Sequence, residues 1–476
     1  MRLRGAFVAL ALTLSAPFAR AQTAAAQEAA PATPLTLDTV LRAVDEGFPL
    51  LEAARREQEA ADGALLSAEG AFDPQVRLRA ATVAGGYYEY ARGDLTVQQP
   101  TRLWGTTFFA GYRLGQDLNS GGIPDYYGHY ETNAGGEVRA GLQVPLLRNG
   151  PIDARRAGIR RAELGRPIAE LGVELASLQY RRAAADRYWD WVAAGRKLRI
   201  ARALLDLATA RNQAISTRVD RGDLPAIERT DNLRVVAQRR GGVVSAERAL
   251  QRAAIELSLF LRDARGESVL PADARLPDDL PPAAPLSPAT FADDVRSAPA
   301  RRPELRRLNA QRAQFEVDRE LARNQMLPAV DVMVSASQDI GSGSSTRSRP
   351  EVDASLMLDV PILNRPARGR LEVARANLSR LDEQLRFQRD RILADLRDAR
   401  SAVEAALQRA ELAGQELAVA RQVEAAERTN FDLGNSTILA VNLREQASAE
   451  AASREVDARA DFHRAVAAYL AAAARR

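Results

Sequence analysis

The chain changes its hydrophobic period twice, in the same way each time. Val352, Ala354, Leu356, Leu358 and Val360 alternate with Asp353, Ser355, Met357 and Asp359. A period of two predicts a strand with one apolar face and one mostly polar face. Pro361 ends the alternation, and Leu371, Leu378, Leu385 and Ile392 then recur every seven residues. That spacing is the seam of a coiled-coil helix. From Ala367 to Leu433 there is no proline, and the only glycines are Gly369 and Gly414. The helix predicted there is about 100 Å long. Earlier, Val138, Ala140, Leu142 and Val144 alternate with Arg139, Gly141 and Gln143, and a long helical pattern follows from Ile152 to Asp220.

The two junctions match: Val144-Pro145-Leu146-Leu147 echoes Val360-Pro361-Ile362-Leu363. Pro49 and Pro74 stand as far apart as Pro303 and Pro328, and each pair brackets an Ala/Glu/Arg-rich helical stretch that leads into a strand. The chain therefore reads as a duplication, which takes precedence over any single motif. The first repeat spans 35–262 and the second 301–476. Asp263 to Ala300, with seven prolines and little periodicity, links them.

Within the first repeat, Leu35 to Gly70 predicts one helix, and Val76, Leu78, Ala80 and Thr82 a strand with Arg77 and Arg79 on its other face. Leu95–Gln99 and Thr106–Leu114 predict an extra hairpin, at about 94–115, with no counterpart in the second repeat. The second repeat has Val330, Val332, Val334 and Ala336 in a strand, then a Gly/Ser loop from Ile340 to Arg349. Each long helix ends in a turn, at Arg221-Gly222-Asp223-Leu224-Pro225 and at Asp432-Leu433-Gly434-Asn435-Ser436. Glycine suits a left-handed helix end and proline the start of the next helix. The returning helices are Ala226–Arg262 and Thr437–Ala474, so each repeat carries an antiparallel helical hairpin.

Composition narrows the class. Arg2 and Arg4 precede an apolar run from Ala6 to Leu14, and Ala19-Arg20-Ala21 fits a small-x-small cleavage site. Residues 1–21 read as a secretory signal peptide, and 22–34 as an Ala/Pro linker. With no cysteine, disulfides, thiolate metal sites and a lipid-modified cysteine are excluded. No later apolar run reaches the length of a membrane helix, so a membrane span has to be built from strands. The formal charge is +4, with arginines alternating with carboxylates along helices, which argues against a nucleic-acid partner. Ten of the 25 aromatic residues lie between Tyr87 and Tyr130: Tyr87, Tyr88, Tyr90, Trp104, Phe108, Phe109, Tyr112, Tyr126, Tyr127 and Tyr130. Such rings gather at membrane–water interfaces. His129 and His463 are the only histidines, one in a loop and one on a helix. No phosphate-binding loop or catalytic constellation occurs, so neither a cofactor nor an enzymatic activity is expected.

The signal peptide, the duplicated helix–strand–strand–long-helix units, the Val-Pro-Leu/Ile-Leu junctions and the tips at Gly222 and Gly434 together resemble the TolC family of bacterial outer-membrane factors. Phe72-Asp73-Pro74 and Pro145-Leu146-Leu147-Arg148-Asn149-Gly150 are similar to one branch of it. The resemblance implies a mainly α protein with a membrane β-barrel, a homotrimer whose barrel continues as a helical tunnel through the periplasm. It implies a passive exit duct in the cell outer membrane. The tips, Arg221, Gly222, Asp223, Leu224, Gly434, Asn435 and Ser436, would dock a periplasmic adaptor bound to an inner-membrane pump or ABC exporter. The alternative is a non-conducting periplasmic coiled-coil tether.

In the family, acidic residues about two turns past the tip glycine constrict the tunnel. Glu228 and Asp231 hold those places after Gly222, but Ala440 and Leu443 do after Gly434. The constriction is therefore expected from Glu228 and Asp231, with Glu445, and with Arg428 or Arg444 as candidate counter-charges. The family's basic residue after the second tip glycine is replaced by Asn435 and Ser436. In the strands, Val76, Leu78, Val332, Leu356 and Leu358 are expected to face lipid, and Arg77, Arg79 and Asp353 the lumen.

Overall fold

The computed structural model describes residues 33–85, 89–118, 131–263 and 265–475. The expected signal peptide, the linker up to residue 32, Tyr87, Tyr88, Tyr126, Tyr127, Tyr130 and His129 lie outside them. Helices α1 (Leu37–Gly47) and α2 (Pro49–Glu69) lead to strands β1 (Gln75–Val83), β2 (Tyr90–Pro100), β3 (Thr107–Asp117) and β4 (Glu137–Pro145). Then come α3 (Ala154–Asp220), α4 (Ala226–Ser258), α5 (Pro288–Arg301) and α6 (Pro303–Asn324). The second pair of strands is β5 (Ala329–Asp339) and β6 (Glu351–Asp359), followed by α7 (Arg365–Asp432) and α8 (Ile438–Ala472).

The helix expected over 35–70 is two helices. Pro49 has no N–H to give to the preceding turn, so it starts α2, and Phe48 between the helices is extended. The linker expected over 263–300 is also more than a linker. It contains α5, and its proline-rich part lies against the helices. Leu280 is buried beside Tyr188 and Trp191 in the larger core, and Arg199 donates to the carbonyls of Pro277 and Asp278.

The long helices follow their seams. Leu371, Leu378, Leu385 and Ile392 are buried, and the line continues through Leu396, Ala399, Val403, Ala406 and Ala410 at spacings of three and four. Each such leucine taken out of water contributes about 1.5–3 kcal/mol. Helix α3 starts on Asp153, whose carboxylate accepts from the Arg156 N–H at 2.8 Å. It packs on α2, α4, α6 and α8, while α7 packs on α6 and α8. Tyr188 of α3 donates to the Leu35 carbonyl at 2.9 Å, tying the start of the described chain to the middle of the bundle.

The six strands form one antiparallel sheet in sequence order, β1 to β6. The extra hairpin is β2–β3, longer at both ends than the alternation indicates, and it lies in the plane of the sheet between β1 and β4. Its turn needs left-handed backbone at Trp104 and Gly105. A side chain at Gly105 would also stand 2.5 Å from the Asn149 carbonyl.

Candidate channel wall and helical tips

Register decides what each face of the sheet carries. Opposed residues in an antiparallel ladder share a face, so one row extends along Val76, Val97, Ala110, Ala140, Ala336 and Val352. Leu78, Leu95, Tyr112 and Val138 make the next row on that face, and Val332 and Leu356 oppose each other there. Leu78 is 77% exposed and Leu356 68%. An apolar face this continuous is costly in water and suited to lipid. The other face carries Arg77, Thr96, Arg139, Ser337 and Glu351 in one row and Arg79, Asp94, Arg113, Glu137 and Asp339 in the next. Arg113 pairs there with Asp94 and with Glu137, each at 2.9 Å.

At the far end, both hairpins turn in the same way. Gly222 and Gly434 have φ of 85° and 83°. The Asp223 N–H reaches back to the Arg218 carbonyl and the Gly222 N–H to that of Val219. The Asn435 and Gly434 N–H groups do the same to Asn430 and Phe431. Two such bonds around a left-handed glycine are a Schellman motif. Nothing stands within 4 Å of a Cβ built on either glycine, so both turns project into open space. Ile227, Leu433, Leu439 and Leu443 are exposed near these turns.

Glu228 and Asp231, one turn apart on α4, are both half-buried in the single chain. Asp231 pairs with Arg234 at 3.0 Å, and among the described residues Glu228 forms no ion pair. Glu445 does not join them. It is 1% exposed and turned into the space between the two helical hairpins. There it accepts from Arg211 of α3, Arg239 of α4 and Arg428 of α7, the last two at 3.1 and 3.0 Å. Arg211 also donates to Asn442, Arg239 to the Leu204 carbonyl, and Arg428 to Glu424. Burial by itself would raise the Glu445 carboxyl's pKa, but the hydrogen bonds and charge of Arg211, with Arg428 and Arg239, hold it below the ordinary glutamate value. Burial pushes the Arg239 guanidinium down.

Of the two arginines expected as counter-charges, Arg428 therefore serves Glu445, while Arg444 lies 3.8 Å from Glu427. The partners that sequence reasoning missed are Arg211 and Arg239. A signal existed: Arg211 precedes Gly222 by the same eleven residues by which Glu445 follows Gly434. Hairpins with level tips bring those two positions to one height. His463 stacks on Trp189, with ring centroids 4.3 Å apart, and its Nε2 lies 2.9 Å from the Pro281 carbonyl. Burial pushes its imidazole down. Among the described residues no cluster of His, Asp or Glu could hold a metal, and no helix is long and apolar enough to cross a membrane.

Residues 295–474 match the family described as outer membrane efflux protein. No curated protein matches the chain. Among solved structures, it is similar to the outer-membrane channel OprN, at 15% identity and a TM-score of 0.63, over 92% of this chain and 90% of that one. It is also similar to the outer membrane protein VceC of Vibrio cholerae, at 14% identity and a TM-score of 0.64, over 92% and 96% of the two chains. The Campylobacter jejuni CmeC outer membrane channel matches at 12% identity and a TM-score of 0.62, over 97% and 94%. The match to the outer membrane efflux protein family is carried by the second repeat, and the fold of the whole described chain is of TolC-like build. The structural neighbours OprN and CmeC are outer-membrane channels, and the mainly helical chain with its antiparallel sheet has their architecture.

Proposed function

We propose that this chain is an outer-membrane efflux protein and acts as a homotrimeric, passive exit duct. A pump in the inner membrane would deliver substrates to it through a periplasmic adaptor gripping the Gly222 and Gly434 turns. The observation that carries this reading is the two-faced sheet, apolar on one side and charged on the other, standing on helical hairpins whose far ends are exposed. Six strands are too few to close a barrel, and open strand edges are forbidden in hydrocarbon. Val373, Phe387, Leu412 and Val419 on the back of α7 are exposed in the single chain, which fits a helix that has neighbours. Purified protein in a planar bilayer is expected to give discrete conductance steps. Silent bilayers from protein with proven insertion would favour the non-conducting tether instead.

Two variants address the tips. Gly434→Val places a β-branched residue at φ of 83°, which costs on the order of 1–2 kcal/mol locally. Insertion and conductance should survive while export in cells falls to background. Normal export would move the docking surface elsewhere. Glu228→Ala with Asp231→Ala would remove two carboxylate rings from a threefold bore. Cation selectivity, read as reversal potential across a salt gradient, should then be lost. Unchanged selectivity would make both residues ordinary helix-surface charges.

A further inference from the structure

We propose that the hairpin present only in the first repeat is part of the membrane wall, so that three copies close an 18-stranded barrel by pairing β6 of each copy with β1 of the next. This rests on the trimer reading above and adds the composition, register and width of the wall.

The ladder leaves no other place for the hairpin. All nine residues of β1 pair with β2, and β3 pairs with β4 from Thr107 to Arg113. Strands β1 and β4 do not touch, so a wall without the hairpin would have a gap there. The hairpin also keeps both faces intact, with Leu95, Val97, Phe108 and Ala110 on the apolar side and Asp94, Thr96 and Arg113 on the polar side. The Asp94–Arg113–Glu137 ladder ties it to β4 on the polar face.

The register closes the ring. The row that crosses β1 at Arg77, two residues from its start at Gln75, reaches β6 at Glu351, eight residues from its end at Asp359. The strands of one copy are therefore staggered by six residues. Repeated by threefold symmetry with the strand ends kept level, this gives one residue of stagger per strand. That corresponds to a tilt of about 35°, within the range in which barrels close. Six is even, so β6 and β1 of the next copy run antiparallel, and an even stagger keeps apolar positions outward. The two edges also differ in charge. Glu351, Asp353 and Asp359 stand on the polar face of β6, and Arg77 and Arg79 on that of β1. In the level register Met357 faces Arg77 of the next copy, and Asp359 and Asp353 fall diagonal to Arg77 and Arg79. Such a barrel is roughly 34 Å across between strand axes, against about 23 Å for twelve strands at the same tilt.

The test uses the full chain in lipid nanodiscs. Native mass spectrometry counts the copies and electron cryomicroscopy counts the strands. The absence of native cysteine makes single thiols clean probes. Thr96→Cys should react with a membrane-impermeant maleimide and Val97→Cys should not, and oxidised Met357→Cys/Arg77→Cys should run as a covalent trimer on denaturing gels. Three copies with 18 strands and alternating labelling are the expected result. Three copies with 12 strands, or equal labelling at 96 and 97, would overturn the wall assignment and leave the trimer standing. Monomers alone after oxidation would overturn the seam register, and any copy number other than three would overturn the duct reading together with this inference.

Discussion

Replacing Glu445 with alanine is expected to loosen the joint between the two helical hairpins by about 3–5 kcal/mol, the usual effect of removing one partner from a buried ion cluster. Arg211 and Arg239 would keep their charges with only 14% and 6% of their side chains exposed, and Arg428 would retain Glu424. Thermal unfolding of the helical region and hydrogen exchange along α4 and α8 should both report the loss. Glu445→Gln keeps the shape but not the charge, and should fall between wild type and alanine. The pH dependence follows from the depressed carboxyl pKa. An unfolded glutamate titrates near about pH 4.3. The folded carboxyl titrates lower, so the stabilisation is complete above that pH and is lost as pH falls through the folded value. The glutamine variant should lack this acid-side decline. Equal melting of all three proteins would show that packing alone joins the hairpins.

Leu356→Arg should be as damaging in the sheet. Leu356 opposes Val332 on the apolar face, and an arginine at mid-membrane depth there costs roughly 2–4 kcal/mol. Ser335→Arg, on the polar face opposite Asp353, should assemble normally. The comparison is the fraction of each protein recovered as membrane-inserted oligomer. Equal recovery of the two variants would reverse the assignment of the faces.

The periods of two and seven carried most of the architecture. Both strand faces could be assigned because alternation survives across every ladder, and the Leu371 to Ile392 seam is buried as its spacing implies. The split at Pro49 was also visible in principle, but a helical composition on both sides hid it. The inter-repeat segment was harder. Its prolines suppress periodicity, yet Leu276 and Leu280 find a core made by residues far away in the chain. The Glu445 cluster shows the same limit, because its three arginines come from three other helices. A single carboxylate on an alanine-rich helix looks the same whether it faces a bore, water or a neighbouring hairpin. Only the packing of α8 against α3 and α7 separates those cases.

The ladder between β4 and β5 joins residues about 200 positions apart, Arg139 opposing Ser337. Until the second repeat joins the first, β1 to β4 form a sheet missing its last third. The contacts between α3 and α4 are local, so that hairpin can form at once. For that interval β4 presents an unpaired rim. How long that rim stays open is set by the β4–β5 seam. Slowing the joining of the two repeats should lengthen the exposure of that rim, and with it the opportunity for rim-to-rim aggregation, without altering a single contact of the finished protein.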